Sequence, residues 1–228
     1  MSPSIELNIV KVQQRIAEAE KKYQRKPGSV QLMAVSKTRP AAMVRAAAAA
    51  GLTEMGENYL QEALDKQREL TDLELTWHFI GPIQSNKTRS IAEHFDWVHS
   101  VDRLKIAQRL SNQRPEGLAP LNICLQVNIS AEESKSGLAL EALGPIADQL
   151  ADLPKLSLRG LMAIPQATDS IDQQRQAFAR LASALQQLQL KHPAMTTLSM
   201  GMSNDIDAAI AEGASIVRIG TSIFGPRQ

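Results

Sequence analysis

The sequence predicts an α/β protein built as one (β/α)8 barrel. Eight short β-like runs alternate with amphipathic helical stretches, the pattern of βαβ units and a parallel sheet. Several runs are continuously apolar, as strands are when both of their faces are buried. The length of 228 residues suits a single barrel, a fold that commonly occupies ~200–250 residues in one domain. No Gly/Ser/Pro-rich linker or shift of composition divides the chain, so 1–228 reads as one domain.

In chain order, a helix is expected over 5–25, stopped by Pro27-Gly28. The first strand, 30–36, carries Val30, Leu32, Met33, Ala34 and Val35, and the alanine-rich helix 41–50 follows it. Strand 53–55 leads through Gly56-Glu57-Asn58-Tyr59 into helix 59–70. Strand 76–80 puts His78 and Ile80 on one face and precedes helix 87–94. Strand 97–99 precedes helix 103–113, and strand 121–127 precedes helix 140–153. Between the last two lies the polar loop 128–137, either a lid or a long solvated turn. Strand 157–162 runs into helix 170–191, where Phe178, Leu181, Leu185 and Leu188 keep an apolar stripe through a Gln-rich stretch. Strands 196–199 and 215–219 flank helix 205–211, and a short helix follows Gly220.

Composition excludes several function classes. Apolar residues make up 43% and charged residues 21%, enough for a full core in an ordinary globule. Aromatics are only 4%, so that core rests on Ala, Leu, Ile, Val and Met. With 25 basic and 24 acidic residues the net charge is +1, which is neither a nucleic-acid footprint nor a polybasic membrane patch. Cys124 is the single cysteine, so no internal disulfide or multi-cysteine metal site can form, and its strand-like setting reads as a buried inert thiol. His78, His94, His99 and His192 match no metal-ligand spacing. Without a basic-then-apolar leader or an apolar run of ~20 residues, a cytoplasmic location is expected.

Barrels of this kind carry their sites at the C-terminal ends of the strands, and phosphate sites favour the loops after strands seven and eight. Two small-residue loops fall there, Leu198-Ser199-Met200-Gly201-Met202-Ser203-Asn204-Asp205 and Val217-Arg218-Ile219-Gly220-Thr221. Gly201 permits close backbone approach, Ser203 offers a hydroxyl and a cap for the next helix, and Asn204 adds a polar arm. Gly220 lets the Thr221 N–H and hydroxyl reach an anion. The plainer reading of either loop is a capped strand-to-helix turn. Lys37 closes the first strand, where partial desolvation would lower its pKa and free the amine to attack a carbonyl. Its plainer reading is a solvated strand-end lysine. Together, an amine and two phosphate cradles point to a cofactor that is both an aldehyde and a phosphate ester, pyridoxal 5'-phosphate.

Arg218 sits inside an apolar strand and needs a partner, either an acidic residue at the rim or the pyridine nitrogen of that cofactor. Asn58 is either a contact at the cofactor's edge or a helix N-cap. His78 reads as a core histidine bonded to backbone rather than a proton-transfer group.

The ordered segments Met33-Ala34-Val35-Ser36-Lys37-Thr38, Gly56-Glu57-Asn58-Tyr59, Trp77-His78-Phe79-Ile80-Gly81 and the two C-terminal loops resemble the pyridoxal-phosphate homeostasis protein family. That family is similar to the isolated N-terminal barrel of alanine racemase, and the resemblance runs over about 7–226. It implies an alanine racemase N-terminal type of barrel with an extra N-terminal helix. It also implies that Lys37 forms a Schiff base with pyridoxal 5'-phosphate, that Ser203, Gly220 and Thr221 bind its phosphate, and that Arg218 faces the pyridine nitrogen. By the same resemblance Asn58 contacts the ring, and Ser199 and Met200 line the pocket.

The implied role lies in vitamin B6 and amino-acid homeostasis, as a carrier or buffer serving pyridoxal-phosphate-requiring apoenzymes, with no catalytic residue assigned. The alternative is a weak amino-acid racemase. Alanine racemases take their second base, a tyrosine, from a C-terminal domain, and this chain ends at Gln228 without one. Tyr59 is the only local substitute, since Tyr23 falls on the opening helix, and losing a positioned acid–base group costs ~10²–10⁴ in rate. The missing domain also leaves a monomer as the expectation. A cofactor-free Schiff-base aldolase acting on sugar phosphates would account for the lysine and the loops but not for Arg218.

Overall fold

The computed structural model describes residues 4–130 and 136–226. Residues 131–135 of the candidate lid at 128–137 therefore lie outside the described residues. Eight parallel strands close into a barrel in sequence order: β1 (Gln31–Val35), β2 (Glu54–Glu57), β3 (Thr76–Phe79), β4 (Trp97–Val101), β5 (Leu121–Val127), β6 (Leu156–Ala163), β7 (Thr197–Ser199) and β8 (Ile216–Ile219). Closure comes from β8 pairing back onto β1, with Met33 opposite Arg218 and Ala34 opposite Ile219.

The helices are α1 (Ile5–Lys22), α2 (Ala41–Ala49), α3 (Leu60–Glu69), α4 (Thr88–His94), α5 (Leu104–Gln113), α6 (Leu143–Ala151), α7 (Ile171–Gln189), α8 (Ile206–Ala211) and α9 (Thr221–Phe224). A 3-10 turn leads into α4 (Ser85–Lys87) and another into α6 (Leu140–Ala142). No helix among the described residues is long and apolar enough to cross a membrane.

The extra N-terminal helix, α1, starts where the Ser4 side chain accepts a hydrogen bond from the Leu7 N–H at 3.2 Å, satisfying a donor the first turn leaves open. Its buried positions Ile9, Val12, Ile16 and Ala19 recur every three or four residues and form one apolar stripe. The helix packs against α8 and α9 on the seam where the barrel closes. It stops three residues short of the expected end because Gln24 turns left-handed at φ 54°. That turn carries Arg25 to the carbonyls of Ile210 and Ala214, at 3.0 Å each.

Two strands run two residues past their expected ends, both because buried polar residues look like loop in a sequence. β2 continues through Glu57, whose carboxylate is fully buried against Lys66. β4 continues beyond His99 through Ser100 and Val101, where Ser100 Oγ donates to the Gly81 carbonyl at 2.5 Å.

The interior has two zones. A single apolar cluster fills the space between strands and helices, and Phe95, Phe178, Ile106 and Leu110 are among its fully buried members. Each such side chain stabilises the fold by about 1.5–3 kcal/mol relative to exposure. Met33, Cys124, Met162, His78, His99 and Arg218 are also buried but stand apart from that cluster. They occupy the lumen. His99 on β4 bonds to Ser199 on β7 at 2.8 Å, and these strands are not neighbours in the barrel, so the contact crosses the inside. The lumen is a packed layer of side chains, as barrels of this size require.

Candidate functional site

A cleft of about 730 Å³ opens at the C-terminal ends of the strands. Its lining includes Val35, Lys37, Asn58, Ile80, Met162, Ser203, Asn204, Asp205, Arg218, Gly220 and Thr221, with the segment from Ile164 to Asp169 forming one side. The loops after β1, β2, β7 and β8 thus bring Lys37, Asn58, Ser203, Arg218, Gly220 and Thr221 together on one cavity.

Lys37 lies two residues beyond the end of β1 and is half-buried. Both flanks of it are tied down. On one side Ser36 is fully buried, its hydroxyl donating to Glu57 Oε1 at 2.6 Å and its carbonyl accepting from Lys66 Nζ at 2.7 Å. Lys66 Nζ also donates to Glu57 Oε1 at 2.6 Å. On the other side Thr38 takes φ 61°, an outlier for a β-branched residue, and its N–H donates to Glu62 Oε2 at 2.9 Å. Burial raises the Glu57 pKa above the ordinary carboxylate range, and Lys66 opposes the rise. Neither Glu57 nor Lys66 was legible as part of the site, because their meeting depends on how α3 packs beneath the end of β1.

Arg218 occupies the middle of β8, and its buried guanidinium lines the cleft floor. Nη1 donates to Ser199 Oγ at 2.9 Å and Nη2 to the Ala163 carbonyl at 3.0 Å. Its hydrogen-bond acceptors among the described residues are therefore a hydroxyl and a main-chain oxygen. Asp205 acts on it through space, partly offsetting a burial effect that brings its pKa down to about 10. It stays charged at neutral pH.

Ser199 and Met200 are fully buried and do not line the cleft: Ser199 bonds to the Arg218 guanidinium, and Met200 packs in the apolar cluster.

The loop after β7 turns at Gly201, where φ is 97° and an added Cβ would come within 2.6 Å of Ala209 Cβ. The Gly201 carbonyl accepts from the Arg218 N–H at 2.9 Å, which fastens this loop to β8. Ser203 does not cap the next helix: α8 begins after Asp205, whose carboxylate accepts from the Met202 N–H at 2.5 Å. The Ser203 carbonyl is held from outside by Arg15 Nη1 at 2.8 Å, so α1 braces the loop. Burial raises the Asp205 pKa, opposed by the Met202 N–H and Arg218. At Gly220 an added Cβ would stand 3.1 Å from the Val35 carbonyl, so the last strand passes close against the first. Thr221 and Ser222 then open α9, whose first N–H groups have no acceptor within the helix.

Asn58 lines the cleft but is not the cap of α3, whose N-cap position is Tyr59. Its Oδ1 is buried with no hydrogen-bond partner among the described residues. A buried amide oxygen left without a donor costs about 1–3 kcal/mol, and here it borders a cavity large enough for a ligand to supply that donor. His78 departs from its expected backbone contact and bonds instead to two side chains, His99 at 2.9 Å and Glu54 at 2.6 Å.

Cys124 is buried and its thiol is pushed up to about 12 by desolvation, so it is not a nucleophile. Tyr59 is exposed and does not line the cleft, and Tyr23 stacks its ring near Lys22 and Arg175 at the end of α1.

These residues fit an aldehyde-bearing aromatic phosphate. The cleft supplies an amine, a guanidinium, an orphan amide oxygen and small-residue loops that backbone N–H groups can present to a phosphate.

The comparisons with known proteins agree with this geometry. The family model for the N-terminal domain of alanine racemase matches residues 7–228. A Pseudomonas aeruginosa relative named pyridoxal phosphate homeostasis protein is 64% identical over 97% of this chain and 95% of its own length. The structure of PipY from Synechococcus elongatus with pyridoxal phosphate bound superposes with a TM-score of 0.81 at 44% identity, covering 92% of this chain and all of that one. An alanine racemase from Corynebacterium glutamicum shares the fold, with a TM-score of 0.70 at 16% identity over 97% of this chain and 60% of its own.

Proposed function

The chain belongs to the family of alanine racemase N-terminal domains, and from that premise we propose that it binds pyridoxal 5'-phosphate and acts in pyridoxal phosphate homeostasis, holding the cofactor and yielding it to apoenzymes of the cytoplasm. One observation carries the reading. Lys37, Asn58, Ser203, Gly220 and Thr221, from loops after four different strands, and Arg218, from β8 itself, converge on a single cleft. The named relatives support it, since one bears the homeostasis name and another carries the cofactor in its structure.

When bound, the cofactor supplies an aldehyde that an amine can capture and a phosphate that fixes its position. Lys37 is the amine, and the Glu57–Lys66 pair beneath Ser36 keeps its backbone in place. Ser203 and the Gly220–Thr221 turn hold the phosphate, with Gly220 letting β8 pass close against Val35. Asn58 Oδ1 takes the hydrogen bond that it otherwise lacks.

Arg218 faces the ring and favours holding over turnover. A guanidinium does not surrender its proton, so it cannot keep the ring nitrogen protonated, and the ring remains a weak electron sink. No tyrosine lines the cleft among the described residues, which leaves the racemase reading without its second base.

The visible spectrum of the purified protein, with and without added pyridoxal phosphate, tests this directly when set beside Lys37→Ala. The wild type should show the yellow band of a lysine-bound cofactor and the variant should not. Racemisation and cofactor-transfer assays on the loaded protein then separate enzyme from carrier. A wild type that gains no band on addition overturns the assignment and brings the sugar-phosphate aldolase forward.

A further inference from the structure

The lumen holds a line of polar side chains that the binding reading does not use. Arg218 Nη1 meets Ser199 Oγ at 2.9 Å, and Ser199 Oγ meets His99 Nδ1 at 2.8 Å. His99 Nε2 meets His78 Nδ1 at 2.9 Å, and His78 Nε2 meets Glu54 Oε2 at 2.6 Å. The line crosses from β8 through β7, β4 and β3 to β2. It starts at the cleft and ends at Glu54, the first residue of β2, on the opposite mouth of the barrel. Arg218, Ser199, His99 and His78 are buried, while the Glu54 side chain is 17% exposed. Trp97 stacks on His78 with ring centroids 5.7 Å apart and walls the line laterally.

We propose that Glu54, His78, His99 and Ser199 form one directional hydrogen-bond relay through the barrel that positions Arg218 for the cofactor. This rests on the cofactor reading above.

Direction follows from the donors available. Arg218 can only donate, so Ser199 Oγ accepts from it and its own hydrogen is left to give to His99 Nδ1. His99 is held neutral, because burial, then His78, then Arg218 all drive its pKa well below the usual value. With Nδ1 accepting, the His99 proton sits on Nε2 and is donated to His78 Nδ1. His78 must then carry its proton on Nε2, where it is donated to the Glu54 carboxylate. Every bond points the same way, from guanidinium to carboxylate, and each polarises the next. Among the described residues, Asp205 acts on Arg218 through space and Glu54 closes the far end, while Cys124 beside Arg218 stays an uncharged thiol. His99 and His78 are positioning residues. Neither lines the cleft.

Two measurements decide the matter. In the cofactor-free protein with nitrogen-15-labelled histidine, both His78 and His99 should show the neutral tautomer with hydrogen on Nε2. An imidazolium at either position, or hydrogen on Nδ1, overturns the relay. Cofactor affinity is then followed by absorbance titration in Glu54→Gln, which removes the distant charge but keeps an acceptor, and in His99→Gln, which interrupts the centre. Long-range coupling of this kind typically corresponds to a few-fold to about thirty-fold in affinity. Glu54→Gln should weaken binding roughly threefold or more with an unchanged melting temperature, and His99→Gln should weaken it further. Wild-type affinity in Glu54→Gln refutes the positioning role. If the wild type itself binds no pyridoxal phosphate, the functional reading and the coupling fall together, whereas the tautomers still report on the relay.

Discussion

Lys66 Nζ donates a 2.7 Å hydrogen bond to the main-chain carbonyl of Ser36, the residue just before Lys37. One buried lysine therefore holds the backbone from which Lys37 is presented. Lys66 is nearly inaccessible and its charge is balanced by Glu57, which is fully buried. Removing one member of such a pair leaves an uncompensated charge and costs about 3–5 kcal/mol. Lys66→Met should lose that much in chemical denaturation and bind pyridoxal phosphate more weakly. Lys66→Met with Glu57→Leu should recover most of the stability while the affinity stays low. A single variant as stable as wild type would show that the pair is not doing this.

Asn58 should behave in the opposite sense. Its Oδ1 has no partner among the described residues, so Asn58→Ala, which removes a buried acceptor without a donor, should leave the cofactor-free protein at least as stable as wild type. Binding should weaken about tenfold, in line with one hydrogen bond of ~1–1.5 kcal/mol. Calorimetry and absorbance titration on the same preparation measure both effects.

Gly201 is constrained twice, by φ 97° and by the 2.6 Å that would separate a new Cβ from Ala209 Cβ. Gly201→Ala should cost about 1–3 kcal/mol and displace the Ser203 loop, weakening the cofactor and inorganic phosphate alike. Loss of stability with unaltered phosphate affinity would remove this loop from the phosphate site.

His99 makes stability depend on pH. Its folded pKa is depressed by burial, by His78 and by Arg218, so the unfolded chain takes up a proton near pH 6.5 while the barrel does not. The unfolded state then binds more protons, and stability falls as pH drops below about 6.5, at a slope approaching 1.4 kcal/mol per pH unit from this residue. His99→Gln should flatten that slope. Melting temperatures of both proteins between pH 7 and pH 5 provide the comparison, and parallel curves would refute the assignment.

The barrel and the rim of the cleft were legible because strand counting placed each motif at a strand end. Lys37, Arg218 and the two glycine loops needed only the order of elements to meet. Contacts perpendicular to the chain were not legible. His99 and Ser199 touch across the lumen from strands that are not neighbours, and Glu57 finds Lys66 only because α3 lies against the end of β1. Capping chemistry misled in a related way. Asn58 and Ser203 are good cap residues by type, yet the helices start one and two residues later. Ser199 and Met200 sit near a strand end in sequence, yet Ser199 is buried against Arg218 and Met200 in the apolar cluster.

The pairing of Met33 with Arg218 and of Ala34 with Ile219 joins the first strand to the last. Lys37 leaves one side of that seam, and Arg218, Gly220 and Thr221 leave the other. The binding cleft therefore does not exist in a partly folded chain, however much of the barrel has assembled. It comes into being with the longest-range strand pairing of the fold, the kind that is slow to form because its loop entropy is lost before any contact is gained. A ligand that binds only the finished state adds RT ln(1 + [L]/Kd) to its stability. Cofactor capture would thus reward completion of the ring, and the level of free cofactor would be recorded in how firmly its first and last strands stay joined.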